Sequence, residues 1–244
     1  MLCHILTIFP EYFTGILKTG VLRIAEEKNL LNVSLINLRN FTDNSYRTVD
    51  DYPYGGGSGM IMKPEPIFRA VESVKKNNSY IILTSPSGRK FDQKLAKELS
   101  KREHLIFISG RYKGVDERVR KYLVNDEISI GDFILSGGEA ACAVILEAIV
   151  RLIPGVVGDE ESINTDSFVS GILDSSYYTR PADYQGYKVP EILLSGDHEK
   201  IRIWRRKEAL KRTLLRRPDL LENINLTTED LKLLEEIKKE IGKE

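Results

Sequence analysis

With two cysteines and three histidines among 244 residues, this chain has little from which to build a disulfide framework or a metal centre. Cys3 and Cys142 each stand inside an apolar pattern, which points to buried, reduced thiols. His4, His104 and His198 are widely spaced, so no metal-binding His pair and no Ser-His-Asp arrangement can be picked out. Charge of one sign is missing as well. The 36 Lys and Arg balance the 36 Asp and Glu, so the total says nothing of a partner and only the distribution can. No run approaches the roughly 18 uninterrupted apolar residues of a membrane span. The N-terminus shows no basic segment followed by an apolar core and a cleavage site, so no signal peptide is expected and the expected location is the cytoplasm. What remains is a 41% hydrophobic fraction, enough for a sizeable core in one large domain, or in a medium domain with a small companion.

Strand and helix patterns alternate through residue 150, which predicts an α/β domain with a mainly parallel sheet. Cys3 to Phe9 reads as a buried strand stopped by Pro10, followed by Tyr12, Phe13, Ile16, Leu17, Val21 and Ile24 at helical spacing. A looser strand pattern covers Leu31 to Leu38, and helices are expected over Glu65 to Lys76 and Phe91 to Lys101. Two stretches run from a strand into a glycine turn: Ile81 to Gly88 and Leu105 to Tyr112. A third, Ser129 to Glu139, carries the apolar run Phe133-Ile134-Leu135 up to the pair Gly137-Gly138 and then a helical pattern from Glu139 to Arg151. Glycines there allow tight turns and close approach to a ligand, so three strand ends could converge on one pocket; ordinary strand-to-helix loops would look the same.

The segment Thr48 to Met62 holds Gly55-Gly56-Gly57-Ser58-Gly59, but the Gly-Lys-Ser/Thr ending of a phosphate loop is absent. Nor does a Gly-x-Gly-x-x-Gly follow the first strand, which argues against a dinucleotide site. A flexible loop is expected here, either structural or closing over a substrate. Residues Gly155 to Ser170 break the α/β pattern with the acidic cluster Asp159-Glu160-Glu161 and a polar run, as a linker does. Tyr177 to Pro190 reads as irregular, and a helix begins near Asp197. From Ile201 to Arg217 there are eight basic residues and one acid, Glu208; Arg202, Arg205, Arg206, Arg212 and Arg216 share one helical face, with Ile203, Leu210 and Leu214 on another. Such a face can be plainly solvated, but five arginines on one side fit nucleic-acid phosphates better, ahead of an anionic membrane or a protein partner. Unaided, composition and spacing stop at an α/β enzyme or binding protein with a basic helical appendage, in which a carboxylate base and an arginine, such as Asp166 and Arg151, are available around the linker.

In combination, several segments are more specific. They are Val49-Asp50-Asp51 with Pro53 to Gly57 and Gly59-Met60; Ser85-Pro86 with Gly88-Arg89-Lys90; Gly110-Arg111-Tyr112 with Gly114 and Asp116-Glu117-Arg118; Ser129 to Asp132 with Leu135 and Gly137-Gly138-Glu139; Arg151 with Ile153-Pro154-Gly155; Asp166-Ser167-Phe168; and Tyr178 to Pro181. Over nearly its whole length the chain thereby resembles the bacterial tRNA (guanine-37-N1)-methyltransferases of the SPOUT class. The resemblance implies a deep trefoil knot in the sheet domain (residues 1–158), an interdomain linker (159–170) and a small α-helical tRNA-binding domain (171–244). It implies S-adenosylmethionine held by Leu83, Thr84, Ser85, Pro86, Gly110, Tyr112, Ile130, Gly131, Phe133, Leu135, Gly137 and Gly138, largely through backbone groups. It implies methylation of N1 of guanosine 37 in tRNA, with preference for G36-G37, in a homodimer whose subunits share their active sites.

By the same resemblance Asp166 is the general base for N1, and Arg151 stabilises charge on O6. Asp50, Gly59, Asp174, Arg202, Arg205 and Arg206 are substrate-binding. Mg²⁺ is implied for activity, with no sequence feature marking its ligands. One departure stands out: relatives often carry an acid after the Gly-Arg-Tyr triplet, and this chain has Lys113. A knotted methyltransferase acting on ribose 2′-oxygen or ribosomal RNA is the rival enzyme. A non-enzymatic RNA-binding module is the rival of another kind, and failure to bind S-adenosylmethionine would mark it.

Overall fold

A computed structural model describes residues 1–158 and 165–242, and the chain divides into two compact units, Met1–Gly158 and Asp159–Glu244. The first unit is built on a five-stranded sheet ordered β2-β1-β6-β5-β7, every neighbouring pair parallel. Its strands are β1 (Leu2–Thr7), β2 (Asn32–Asn37), β5 (Ser79–Lys90), β6 (His104–Ser109) and β7 (Asp126–Ser129). β6 lies between β1 and β5 and is buried along its whole length, as the unbroken apolar run of a central parallel strand should be.

Alternation along the strands sorts side chains to two cores. Cys3, Ile5, Ile82, Leu105, Phe107 and Ile128 face one layer, where α2 (Gly20–Glu27), α4 (Gln93–Leu99) and α6 (Glu139–Val150) bring Leu22, Leu95, Leu99, Cys142, Leu146 and Ile149. Leu6, Ile81, Leu83, Ile106 and Ile108 face the other, with Ile67 and Val71 of α3 (Pro64–Val74) and Val119 of α5 (Glu117–Tyr122). Pro64 opens α3, and Asp92 and Asp116 cap α4 and α5 by accepting from the Leu95 and Arg118 amides. Helices on both faces of a parallel sheet leave the carboxyl ends of the strands open, the usual place for a ligand.

Several sequence expectations change here. The single helix expected from Tyr12 to Ile24 is a 3₁₀ turn (Pro10–Phe13), a short α1 (Thr14–Leu17) and α2, broken before Gly20 at φ +55°. Strand β5 does not stop at Leu83 but runs through Gly88 to Lys90, so that this glycine is in a strand and not a turn. Its pairing with β7 shifts register between Thr84 and Arg89, and at Gly88 the two backbones come so close that a Cβ would strike Glu127 and Ile128. The run Phe133-Ile134-Leu135 is a loop beyond β7 and not a strand, with Ile134 81% exposed. The glycine-rich loop is closed at its base by β3 (Asp50–Asp51) pairing with β4 (Ile61–Met62).

The second unit packs α7 (His198–Arg216) and α8 (Thr228–Ile241) around Ile172, Leu210, Leu233, Leu234 and Ile237, with Ile203 and Leu214 on the apolar stripe the sequence showed. Asp197 caps α7, and Thr227 with Asp230 forms a capping box on α8. The stretch read as irregular contains a hairpin, β8 (Asp183–Tyr184) and β9 (Tyr187–Lys188), whose turn residues Gln185 and Gly186 both take positive φ. The acidic cluster Asp159-Glu160-Glu161 and the start of the polar run, together the first half of the expected linker, lie outside the described residues.

Candidate active site

The bulged middle of β5 and the carboxyl ends of β6 and β7 open into one cavity of about 500 Å³. Leu83, Thr84, Ser85 and Pro86 come from β5, Gly110 and Tyr112 from the turn after β6, and Ile130, Gly131, Phe133, Leu135, Gly137 and Gly138 from the loop after β7. All these positions, expected from the sequence to share a ligand, therefore meet. The two turns are joined directly: the Gly138 amide donates to the Gly110 carbonyl at 2.8 Å, and Arg111 and Gly137 form an isolated bridge. At Gly138 a Cβ would run into Thr84 Oγ1, and at Gly137 into Arg111 Nε and Glu139 Oε2. Replacing Gly138 by Ala should therefore cost about 1–3 kcal/mol, as overpacking does, and thermal unfolding measures it. An unchanged melting temperature would show that the turn relaxes freely.

The cavity is apolar at Leu83, Ile128, Ile130 and Leu135, and its charged lining is cationic: Arg111, Lys113 and Arg120. Arg111 Nε is paired with the buried Glu139 at 3.1 Å, and Arg120 with Glu127. These three cations were not foreseen as cavity residues; the Gly-Arg-Tyr-Lys-Gly run after an apolar strand was the available signal. Burial pushes the Cys3 and Cys142 thiols upward, which leaves them inert under the sheet. Among the described residues no group of three or more His, Cys, Asp or Glu could hold a metal ion, and no helix is long and apolar enough to cross a membrane.

The glycine-rich loop is stitched to the same rim. The Lys113 amide donates to the Met60 carbonyl and the Asp116 amide to that of Met62, both at 3.0 Å, while Val115 and Met62 bridge in parallel. Gly59, at φ +92°, lies under the Lys113 side chain, which a Cβ would meet at 2.9 Å. Asp50 stands at the base of this loop opposite Met62, and Tyr52 and Tyr54 are exposed on it.

Arg151 ends α6 in the first unit. Asp166 belongs to the second, as does Asp174, whose carboxylate accepts from the Ser175 amide at 2.6 Å and the Tyr177 hydroxyl at 3.2 Å. Burial and then Asp174 raise the Tyr177 phenol.

On α7 the arginines have different duties. Arg202 is paired with Glu199 and Glu229, Arg206 with the buried Asp230, and Arg212 donates to the carbonyls of Asp174 and Ser175 and to Ser176 Oγ. Arg205 lies over the Tyr177 ring at 5.6 Å. Among the described residues Arg205, Lys211 and Arg216 carry no ion pair, so the face read as five equivalent cations presents fewer uncommitted ones. Ion pairs to α8 could not be read from α7 alone.

Known proteins give this geometry a context. Residues 1–223 match the family model described as tRNA (Guanine-1)-methyltransferase TrmD. A protein of Dictyoglomus turgidum named tRNA (guanine-N(1)-)-methyltransferase is 61% identical over 240 residues, covering 98% of each chain. Proteins of the same name from Anoxybacillus flavithermus and Bacillus subtilis are each 52% identical, over 98% and 96% of this chain and 99% and 98% of their own.

Proposed function

Because this chain belongs to the tRNA (guanine-1)-methyltransferase family, we propose that it transfers a methyl group from S-adenosylmethionine to N1 of guanosine 37 in tRNA, preferring a guanosine at position 36. The observation that carries the reading is one cavity shared by three adjacent parallel strands and the loops that follow two of them, inside a chain similar to these enzymes over 98% of its length. Its volume is within the range of small-molecule sites. Leu83, Ile130 and Leu135 give an adenine ring apolar walls, and side-chain-free Gly110, Gly137 and Gly138 let backbone groups reach its edge. S-adenosylmethionine, when bound, supplies an electrophilic methyl on a sulfonium sulfur.

Neutral guanine N1 is a poor nucleophile, and the protein's part is to change that. Asp166 takes the N1 proton as N1 bonds to the methyl carbon and the carbon–sulfur bond breaks. Arg151 holds the negative charge that moves onto O6. A base and a fixed cation lower the same barrier from two sides. Asp50 and Gly59, on the loop fastened to the cavity rim, and Asp174 help to seat the nucleotide. Phosphates meet Arg205 first, with Arg202 and Arg206 adding charge from within their ion pairs. Mg²⁺ is an expected requirement without assigned ligands.

The chain acts as a homodimer, in which Asp166 of one subunit serves the cavity of the other. The sheet unit carries a deep trefoil knot in this reading, as the family membership implies. Mixing Asp166→Ala chains with chains disabled in the donor cavity should restore methyl transfer at about one site per mixed dimer. No restoration in verified mixed dimers would show that each subunit works alone.

A further inference from the structure

Glu139 is a carboxylate for which the proposed chemistry has no use, and it is buried, with its side chain 1% exposed. An isolated carboxylate there would be very costly, and this one is well partnered. Thr7 Oγ1 donates to its Oε1 at 2.8 Å; Arg111 Nε donates to Oε2 at 3.1 Å and Oε1 at 3.3 Å. Behind them the Phe9 amide donates to Thr7 Oγ1 at 2.9 Å, and the Arg111 guanidinium lies 4.4 Å from the centre of the Phe9 ring. The circuit joins the end of β1, the turn after β6 and the first residue of α6. Gly137 lies against it so closely that a Cβ would strike both Arg111 Nε and Glu139 Oε2.

Buried ion pairs are poor sources of net stability, since apolar residues of similar volume often serve as well or better. What such a pair supplies is geometry. Here it acts on two turns of the cavity: Arg111 lines the cavity itself, and its neighbour Tyr112 is held at φ +59°, a conformation that surrounding contacts must enforce. Thr7, Phe9 and Glu139 stand outside the cavity lining.

We propose that Glu139 is a positioning residue for the methyl-donor cavity. Through Arg111 it sets the Gly110–Tyr112 turn against Gly137–Gly138, and through Thr7 it fixes both to the sheet. The inference rests on reading the cavity as the site of S-adenosylmethionine, and it predicts a defect confined to that ligand.

The test titrates the full chain with S-adenosylmethionine by calorimetry, with tRNA affinity and thermal unfolding measured in parallel. Glu139→Gln keeps the shape and removes the charge, and should weaken donor binding by about 10–100-fold, the range for a hydrogen bond to a charged group. Thr7→Val should weaken it by about 3–10-fold, while Thr7→Ser, which keeps the hydroxyl, should bind like the wild type. Affinity for tRNA should stay within about twofold throughout. If Glu139→Gln does not fold, the two Thr7 variants decide. Variants that melt earlier yet bind the donor normally below their transitions would overturn the inference, as would equal losses for donor and tRNA. A wild-type chain that takes up no S-adenosylmethionine would overturn the reading of the cavity, and this inference with it.

Discussion

Asp166→Asn should bind S-adenosylmethionine as the wild type does and lose about 10²–10⁴-fold in single-turnover methyl transfer, the usual consequence of removing a general base. The amide keeps the size of the carboxylate and much of its hydrogen bonding but cannot accept the N1 proton. The donor cavity should be unaffected, since among the described residues its lining comes from residues 83–141 of the first unit. Arg151→Lys should also be costly, because a mobile ammonium does not reproduce a planar guanidinium held against O6. Wild-type rates for Asp166→Asn at saturating tRNA and donor would remove Asp166 from the role and send the proton to water or to another carboxylate.

Arg206→Ala should destabilise the second unit by about 3–5 kcal/mol, the cost of leaving a buried charge without its partner. Asp230 is 1% exposed, and Arg206 reaches it with Nε at 2.6 Å and Nη2 at 2.9 Å. The same carboxylate closes the capping box of α8 by accepting from the Thr227 amide at 3.0 Å. Chiefly through Arg206, its pKa is lowered to about 2. A folded-state pKa below the unfolded value means that the stabilisation is complete at neutral pH and is lost as pH falls from about 4 through 2. Thermal unfolding at pH 7, and of the wild type across that acid range, reads both effects. Arg205→Ala, with no carboxylate to abandon, should melt normally and weaken tRNA binding, lowering its log–log salt slope by about one unit. An Arg206→Ala chain that melts like the wild type would mean that Asp230 finds another donor.

The contrast between Arg205 and Arg206 shows where sequence reading runs out. The helix, its apolar stripe and its basic face follow from local spacing. Which arginine is spent on Asp230 depends on how α8 packs, a contact 24 residues away in the chain. The sheet unit was more legible, because β6 is an uninterrupted apolar run and its glycine turn follows at once. Gly88 misled: it marks a close approach of two strands and not a turn, and both leave the same letter in the sequence. Phe133, Ile134 and Leu135 misled as well, since an apolar run reads as strand whether a sheet or a cavity-lining loop receives it. Glu139 gave only a faint sign, an acid opening a mostly apolar helix; its partners at positions 7 and 111 are joined to it by the fold alone. The catalytic roles proposed for Asp166 and Arg151 came from resemblance, not from any spacing.

The central claim is tested most directly by one methylation assay. The purified protein is given S-adenosylmethionine and tRNA transcripts that differ only at positions 36 and 37, and the modified nucleoside is identified. Methyl groups should appear on N1 of guanosine 37, most efficiently when position 36 is also guanosine, and should vanish when position 37 is changed. Methylation that persists without guanosine 37, or that falls on a ribose 2′-oxygen, would contradict the account.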